Sequence, residues 1–179
     1  MFELNRRTAP SPELVEQSFV QDIEVFVAGT VAPSSPADTP ASLLEAAFAL
    51  TAGRTDWLRW GLSGMPMTGE QIAAHAEAAI TVLRTAGWNP SPSANRGISA
   101  ALRHAETADT TQRFSDDTNM ALDDIFALLI RALTGAPFAS YQIWDGHPAR
   151  RVEEVFGLLA AAAAFARAYG DPAPAAPAA

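Results

Sequence analysis

Between Ser115 and Gly135 the chain places Met120, Leu122, Ile125, Phe126, Leu128, Leu129 and Leu133 around much of the circumference of a helix. A surface helix carries one apolar stripe, whereas a helix apolar nearly all round needs neighbours on most sides. The segment therefore predicts a central helix with the rest of the domain built around it. Ser115 is its N-cap, and Asp116 and Asp117 suit the positive end of the helix dipole. Gly135-Ala136-Pro137 ends it.

The other elements read in the same way. Ser11-Pro12-Glu13 opens a helix whose apolar positions are Leu14, Val15, Phe19, Ile23, Phe26 and Val27, and Gly29 stops it. Val31 to Pro40 carries Pro33, Pro36 and Pro40 among Ser and Ala and reads as a flexible connector. Helix 1 is then a detachable arm, with Phe19, Ile23 and Phe26 as a face for a partner or a second copy. Ala41 to Ala52 predicts a helix closed by Gly53, and Asp56 to Trp60 one further helical turn. Thr68-Gly69-Glu70-Gln71 has capping-box spacing and opens a helix to Ala86, with Ile72, Ala76, Ala79, Ile80 and Leu83 inward. Gly87 caps it, and Trp88-Asn89-Pro90-Ser91-Pro92 turns the chain. Ile98 to Thr107 is a shorter helix. Phe138 to Trp144 reads as an extended packed segment. A last helix runs from about Arg151 to Tyr169, and Asp171 to Ala179 is a Pro-Ala tail expected to be disordered. The expectation is an all-α bundle of five to seven helices: residues 1–38 an arm and connector, 39–170 the helical domain, 171–179 the tail.

Composition supports helices and removes several chemistries. The 179 residues include 38 Ala, the best helix former, and no Lys, so all 12 basic residues are Arg. Such usage fits a GC-rich genome, for instance that of an actinobacterium or its phages. Without Lys there is no P-loop and no Schiff base. Without Cys there is no disulfide, thiolate metal site or Cys nucleophile, which fits the cytosol. A formal charge of −8 carries no basic footprint for a nucleic-acid backbone. The N-terminus has no apolar signal region, and Val155 to Ala166 is too short and Ala-rich for a membrane span.

Trp144-Asp145-Gly146-His147-Pro148-Ala149-Arg150-Arg151-Val152-Glu153-Glu154-Val155 gathers the rarer residue types. From about Ala79 to Ala166 the chain resembles a small actinobacterial and actinophage family known as a domain of unknown function. That family's pattern is a helix ending in a Gly-Trp turn, an Ala- and Leu-rich core helix and a short apolar stretch. Trp-Asn-Asp-x-Pro-x-Arg-Thr-x-Glu-Glu-Val then follows. Gly87-Trp88 matches the turn and Asp123 to Leu133 the core helix. Trp144, Pro148, Arg150, Glu153, Glu154 and Val155 fall in register. Asp145-Gly146 stands where the family has Asn-Asp, and Arg151 where it has the capping Thr. The resemblance implies a fold and a source, not an activity.

Two readings of that junction stand side by side. In one, Trp144, Asp145, His147 and Arg150 with Trp88 line a ligand site: indole stacks the ligand, Arg150 clamps an anion and His147 is the acid or base. In the other, Trp144 plugs the core, Asp145-Gly146 turns the chain, Pro148 directs the helix and Arg150 pairs with Glu153 or Glu154. His75, His104 and His147 lack metal-ligand spacing and read as partly exposed or singly bonded, so neither a metal nor a cofactor is expected. Asp116, Asp117, Asp123 and Asp124 form either an Mg²⁺-type stripe or a dipole-compensated solvated face. Helices 69–86 and 98–107 suggest a helix-turn-helix, but their link is too long and Pro-rich. Gly61-Leu62-Ser63-Gly64 is a turn, not a nucleophile elbow. The expectation is a cytoplasmic, non-catalytic protein-interaction or self-assembly module of an actinobacterium, phage or plasmid. A small ligand-binding or enzymatic domain at the Trp144–Arg150 junction is the alternative, and a DNA-binding helical protein the third.

Overall fold

Thr68 accepts a hydrogen bond from the Gln71 amide at 3.2 Å, and the Gln71 side chain accepts from the Thr68 amide at 2.9 Å. The reciprocal box opens a helix where the sequence places one. The computed structural model describes residues 41–172, all-α throughout. Its helices are α1 Ala41–Ala49, α2 Gly69–Ala86, α3 Ile98–Ala108, α4 Asp116–Thr134, α5 Tyr141–Asp145 and α6 Val152–Tyr169. Single 3₁₀ turns stand at Asp56–Leu58 and Pro92–Ala94. The N-terminal arm with Phe19, Ile23 and Phe26, the connector and tail residues 173–179 lie outside the described residues.

α4 is the central helix. Leu122, Ile125, Phe126, Leu128, Leu129 and Ile130 are buried, and the helix packs on α1, α2, α5 and α6. Met120, counted inward from the sequence, is instead 47% exposed. The most extensive helix pairing is α2 with α6, and both helices bury several Ala: Ala73, Ala76 and Ala79 on α2, Ala162, Ala163 and Ala166 on α6. Small side chains let two helices approach closely, and here the approach is tightest at their ends. A Cβ on Gly69 would strike the Ala166 carbonyl, and the Gly69 amide donates to the Asp171 carbonyl at 2.8 Å. Above this seam Arg167 forks between Glu70 (2.8 and 2.9 Å) and Glu77 (2.6 and 3.0 Å). Phe48 of α1 stacks on Tyr169 at 4.2 Å, closing that side.

Two helix readings are corrected. α1 stops at Ala49, three residues early, because a hydrogen-bonded turn intervenes before Gly53. Phe138 to Trp144 is not extended throughout: Ser140 accepts from the Ile143 amide and caps the short helix α5. The β-favouring side chains Tyr141 and Trp144 are helical because the core takes both rings from one turn.

His75 is neither partly exposed nor singly bonded. It is fully buried, stacked on Phe114 at 4.7 Å, with both ring nitrogens engaged. Nε2 faces the Leu102 carbonyl at 3.0 Å, which can only accept, so Nε2 carries the proton. Nδ1 lies 2.9 Å from the Thr118 hydroxyl, whose proton also has the Ser115 carbonyl within reach at 2.8 Å. One imidazole thereby ties α2 to α3 and α4.

Burial lowers the His75 pKa from 6.5, outweighing the Leu102 carbonyl and the charge of Asp109. The unfolded chain then takes up a proton near pH 6.5 that the folded chain refuses. The stabilisation is complete above that pH and is lost as pH falls below it. Thermal unfolding from pH 7.5 to 5 should show the wild-type midpoint falling on the acid side, with a shallower fall for His75→Phe. Parallel curves would mean that His75 is not the group responsible.

Candidate functional site

α3 has no capping side chain of its own, since its N-cap is Gly97. The cap comes from 48 residues further on, where Asp145 ends α5. Its Oδ2 accepts from the Ile98 amide at 2.8 Å and its Oδ1 from the Trp88 indole N–H at 2.7 Å. Gly97 makes this possible, because a Cβ there would strike Oδ2. Burial pushes the Asp145 carboxyl above its ordinary range, opposed by those two donors and by the charge of Arg150.

The next residues form a second knot. Trp144 is buried, and the Arg150 guanidinium lies over its ring at 3.8 Å. Arg150 Nε donates to the Trp144 carbonyl at 3.1 Å, and another guanidinium nitrogen to Glu154 Oε1 at 3.1 Å. Both side chains of this pair are almost wholly buried. Glu154 Oε2 accepts from the Arg151 amide at 2.6 Å, which is half of a capping box. Arginine has no acceptor, so where the family pattern has Thr the reciprocal half cannot form.

Four of the five junction residues singled out from the sequence, Trp88, Trp144, Asp145 and Arg150, therefore come together. His147 does not join them: it is exposed, and its Nδ1 accepts from the Ala149 amide at 3.3 Å. Chemically the arrangement joins α3, α5, α6 and the turn after α2. The acceptors of Asp145 and Glu154 are spent on named donors, and the Trp144 face is covered by a guanidinium.

A second locus was missed. Asp117, read as part of an acidic stripe, is buried and holds the loop Arg59–Pro66: its Oδ1 accepts from the Ser63 amide at 3.1 Å and its Oδ2 from the Ser63 hydroxyl. Those donors hold its carboxyl below the usual range. Gly61 must be glycine, since a Cβ would overlap the Asp117 carboxyl group. Backbone bonds from Gly61 to Met65 (3.0 Å) and from Met67 to Arg59 (2.8 Å) pin the ends, and Gly64 turns the tip at φ +79°. On this tied loop Trp60, Leu62 and Met65 are 50%, 81% and 65% exposed. Met120, three residues after Asp117, lies on the same side of α4. The signal was present in the sequence: three large apolar side chains in a Gly-rich turn with no helical period.

Among the described residues no three His, Asp or Glu side chains converge as metal ligands, and no helix is long and apolar enough to cross a membrane. A family of unknown function (DUF6197) matches residues 67–165, more than half of the chain, and the protein belongs to that family. The match begins just before α2 and ends within α6, so it holds the Asp145 joint and Asp117 itself, while the loop Arg59–Pro66 lies before it. No curated protein and no solved structure matches the chain.

If Asp145 is the external cap of α3, Asp145→Ala leaves two donors without acceptors and should lower unfolding free energy by about 2–3 kcal/mol. Asp145→Asn keeps one acceptor oxygen and should lose about half as much. Urea unfolding followed by Trp fluorescence measures both. Equal, small losses for the two variants would remove Asp145 from this role.

Proposed function

We propose that the chain is a non-catalytic protein-interaction module of the cytoplasm of an actinobacterium or its phages and plasmids. Its docking element is the loop Arg59–Pro66. The supporting observation is the way Trp60, Leu62 and Met65 are held. Apolar surface left in water costs about 25 cal/mol per Å² relative to burial, so an untethered loop would fold these side chains inward. Here a buried carboxylate, a required glycine and two backbone bonds keep them outward. Rigid apolar side chains lose little entropy on binding, which is what an interface anchor needs.

Charge selects the partner. Asp116 adjoins the anchor Asp117, and Glu106 is raised above its ordinary pKa by partial burial and, to a smaller extent, by the nearby charge of Asp116. The loop carries Arg59, but its guanidinium is paired with Asp171 at 3.0 Å. An apolar tip beside acids fits a protein with an apolar pocket and an Arg- or Lys-bearing rim. A second copy of a chain with net charge −8 would bring like charges together. The N-terminal stripe Phe19, Ile23 and Phe26 is proposed as a second partner face.

Leu62→Glu with Met65→Glu should leave thermal stability unchanged and weaken the partner at least about tenfold, the loss of one well-buried anchor. The measurement is affinity co-purification from the native host, then titration of the identified partner at two salt concentrations. Equal retention by the wild type and the double variant would overturn the docking loop. A concentration-dependent dimer in sedimentation, lost on removing residues 1–38, would replace it with self-assembly.

A further inference from the structure

The turn between α2 and α3 is more built than a connection requires. The Asn89 amide donates to the Arg96 carbonyl at 3.1 Å, Asn89 Oδ1 accepts from the Ser91 amide at 2.8 Å, and an Arg96 guanidinium nitrogen donates to the Ala86 carbonyl at 3.2 Å. Asn95 sits in the left-handed region at φ +50°, unusual for a residue with a side chain. This closed loop stands between two hollows. One of about 330 Å³ lies against the end of α2 and reaches His104; the other, about 220 Å³, lies between the loop, α3 and α5. Both are lined by Asn95, Arg96 and Ala100, so they form one groove across the exposed side of α3.

Its charge is opposite to that of the chain. Arg96, in the loop just before α3, and Ser99 and Arg103, four apart on the helix, all line the smaller hollow, which therefore holds two guanidinium groups. The carboxylate in the lining is Asp145, whose two oxygens already serve Trp88 and Ile98. Arg103 is exposed and has no ion pair among the described residues. Arg167 is matched to two glutamates, Arg59 to Asp171 and Arg150 to Glu154, while Arg54, Arg84 and Arg131, like Arg103, have no ion pair among the described residues. Ala100 keeps the floor low, and Pro90 and Gly146 give the smaller hollow an uncharged wall.

We infer that this groove binds a small oxyanion-bearing molecule, a phosphate or a carboxylate held between Arg96 and Arg103 with its body over Ala100. Guanidinium forks match the planar or tetrahedral oxygens of such groups, and Asn95 adds a neutral donor. Trp144 and Arg150 are not among the lining residues, and Asp145 is the residue that the joint and the groove share. The groove is independent of the docking loop, so either can fail alone.

The full chain titrated with inorganic phosphate, and separately with citrate, at constant ionic strength tests this by amide and Arg side-chain NMR. The expected result is a saturable shift at Gly97, Ser99, Arg103 and the Arg96 Nε, with the tighter anion naming the class. Arg103→Gln should weaken binding by about tenfold, as loss of one charge-assisted contact does, while Arg84→Gln leaves it unchanged. Shifts that fail to saturate, or that persist in Arg103→Gln, would overturn the site. So would tighter, steeply salt-dependent binding of a single-stranded oligonucleotide through the same residues, which would make the groove a polyanion surface.

Discussion

A helix without a capping side chain leaves amide donors that something else must satisfy, and in this protein the donor at Ile98 and the indole of Trp88 share one carboxylate. Asp145 fixes where α3 begins, which way the Trp88 turn faces and how α5 lies against both. The carboxylate is buried, and burial alone would favour its neutral form. Two hydrogen bonds and the nearby Arg150 oppose that push, which still leaves the carboxyl above its ordinary range. The same economy governs its neighbours. Arg150 covers Trp144, bonds the Trp144 carbonyl and pairs with Glu154, whose second oxygen starts α6. Loss of any one of these groups would strand another in a dry environment, which is costlier than the interaction itself.

The elements set by neighbours in sequence were readable in it. Thr68 with Gln71, Gly87, Ser115 and Gly135 mark helix ends through contacts within a few residues, and the starts and stops of α2 and α4 fall there. α5 was obscured because Tyr141, Ile143 and Trp144 favour strands, although Ser140 three residues before Ile143 was a cap in plain view. His75 also carried a usable signal. It lies on the stripe Ile72, His75, Ala76, Ala79, so helical spacing alone puts it inside, where an imidazole needs partners on both nitrogens. Asp117 with Ser63 and Asp145 with Trp88 had no such signal. They join residues 54 and 57 apart, and nothing local says which of 20 acids meets which donor.

The tied loop and the groove lie at opposite ends of one rod. The tied loop leads into the N-terminus of α2, and the groove lies against its last turn. α2 has 18 residues, so about 27 Å of helix separates them. α2 is also the helix pressed most closely to α6, with glycines at one end and Ala along its length. A rod packed that tightly has little room to bend or slide, so the loop and the groove are held at a fixed separation.

The absence of Lys shapes how such a surface can work. An ammonium could neutralise Glu154, but it could not also bond the Trp144 carbonyl while lying flat on the indole, as the Arg150 fork does. Arg167 spans two glutamates by the same geometry, and Arg96 closes its loop with one guanidinium nitrogen on the Ala86 carbonyl while still lining the groove. With 12 cations against 20 acids, a guanidinium that serves two partners at once lets few positive charges both lock the fold and line a groove. The positive lining of the groove therefore rests on Arg96 in the loop before α3 and Arg103 on the helix, not on the charge of the chain as a whole.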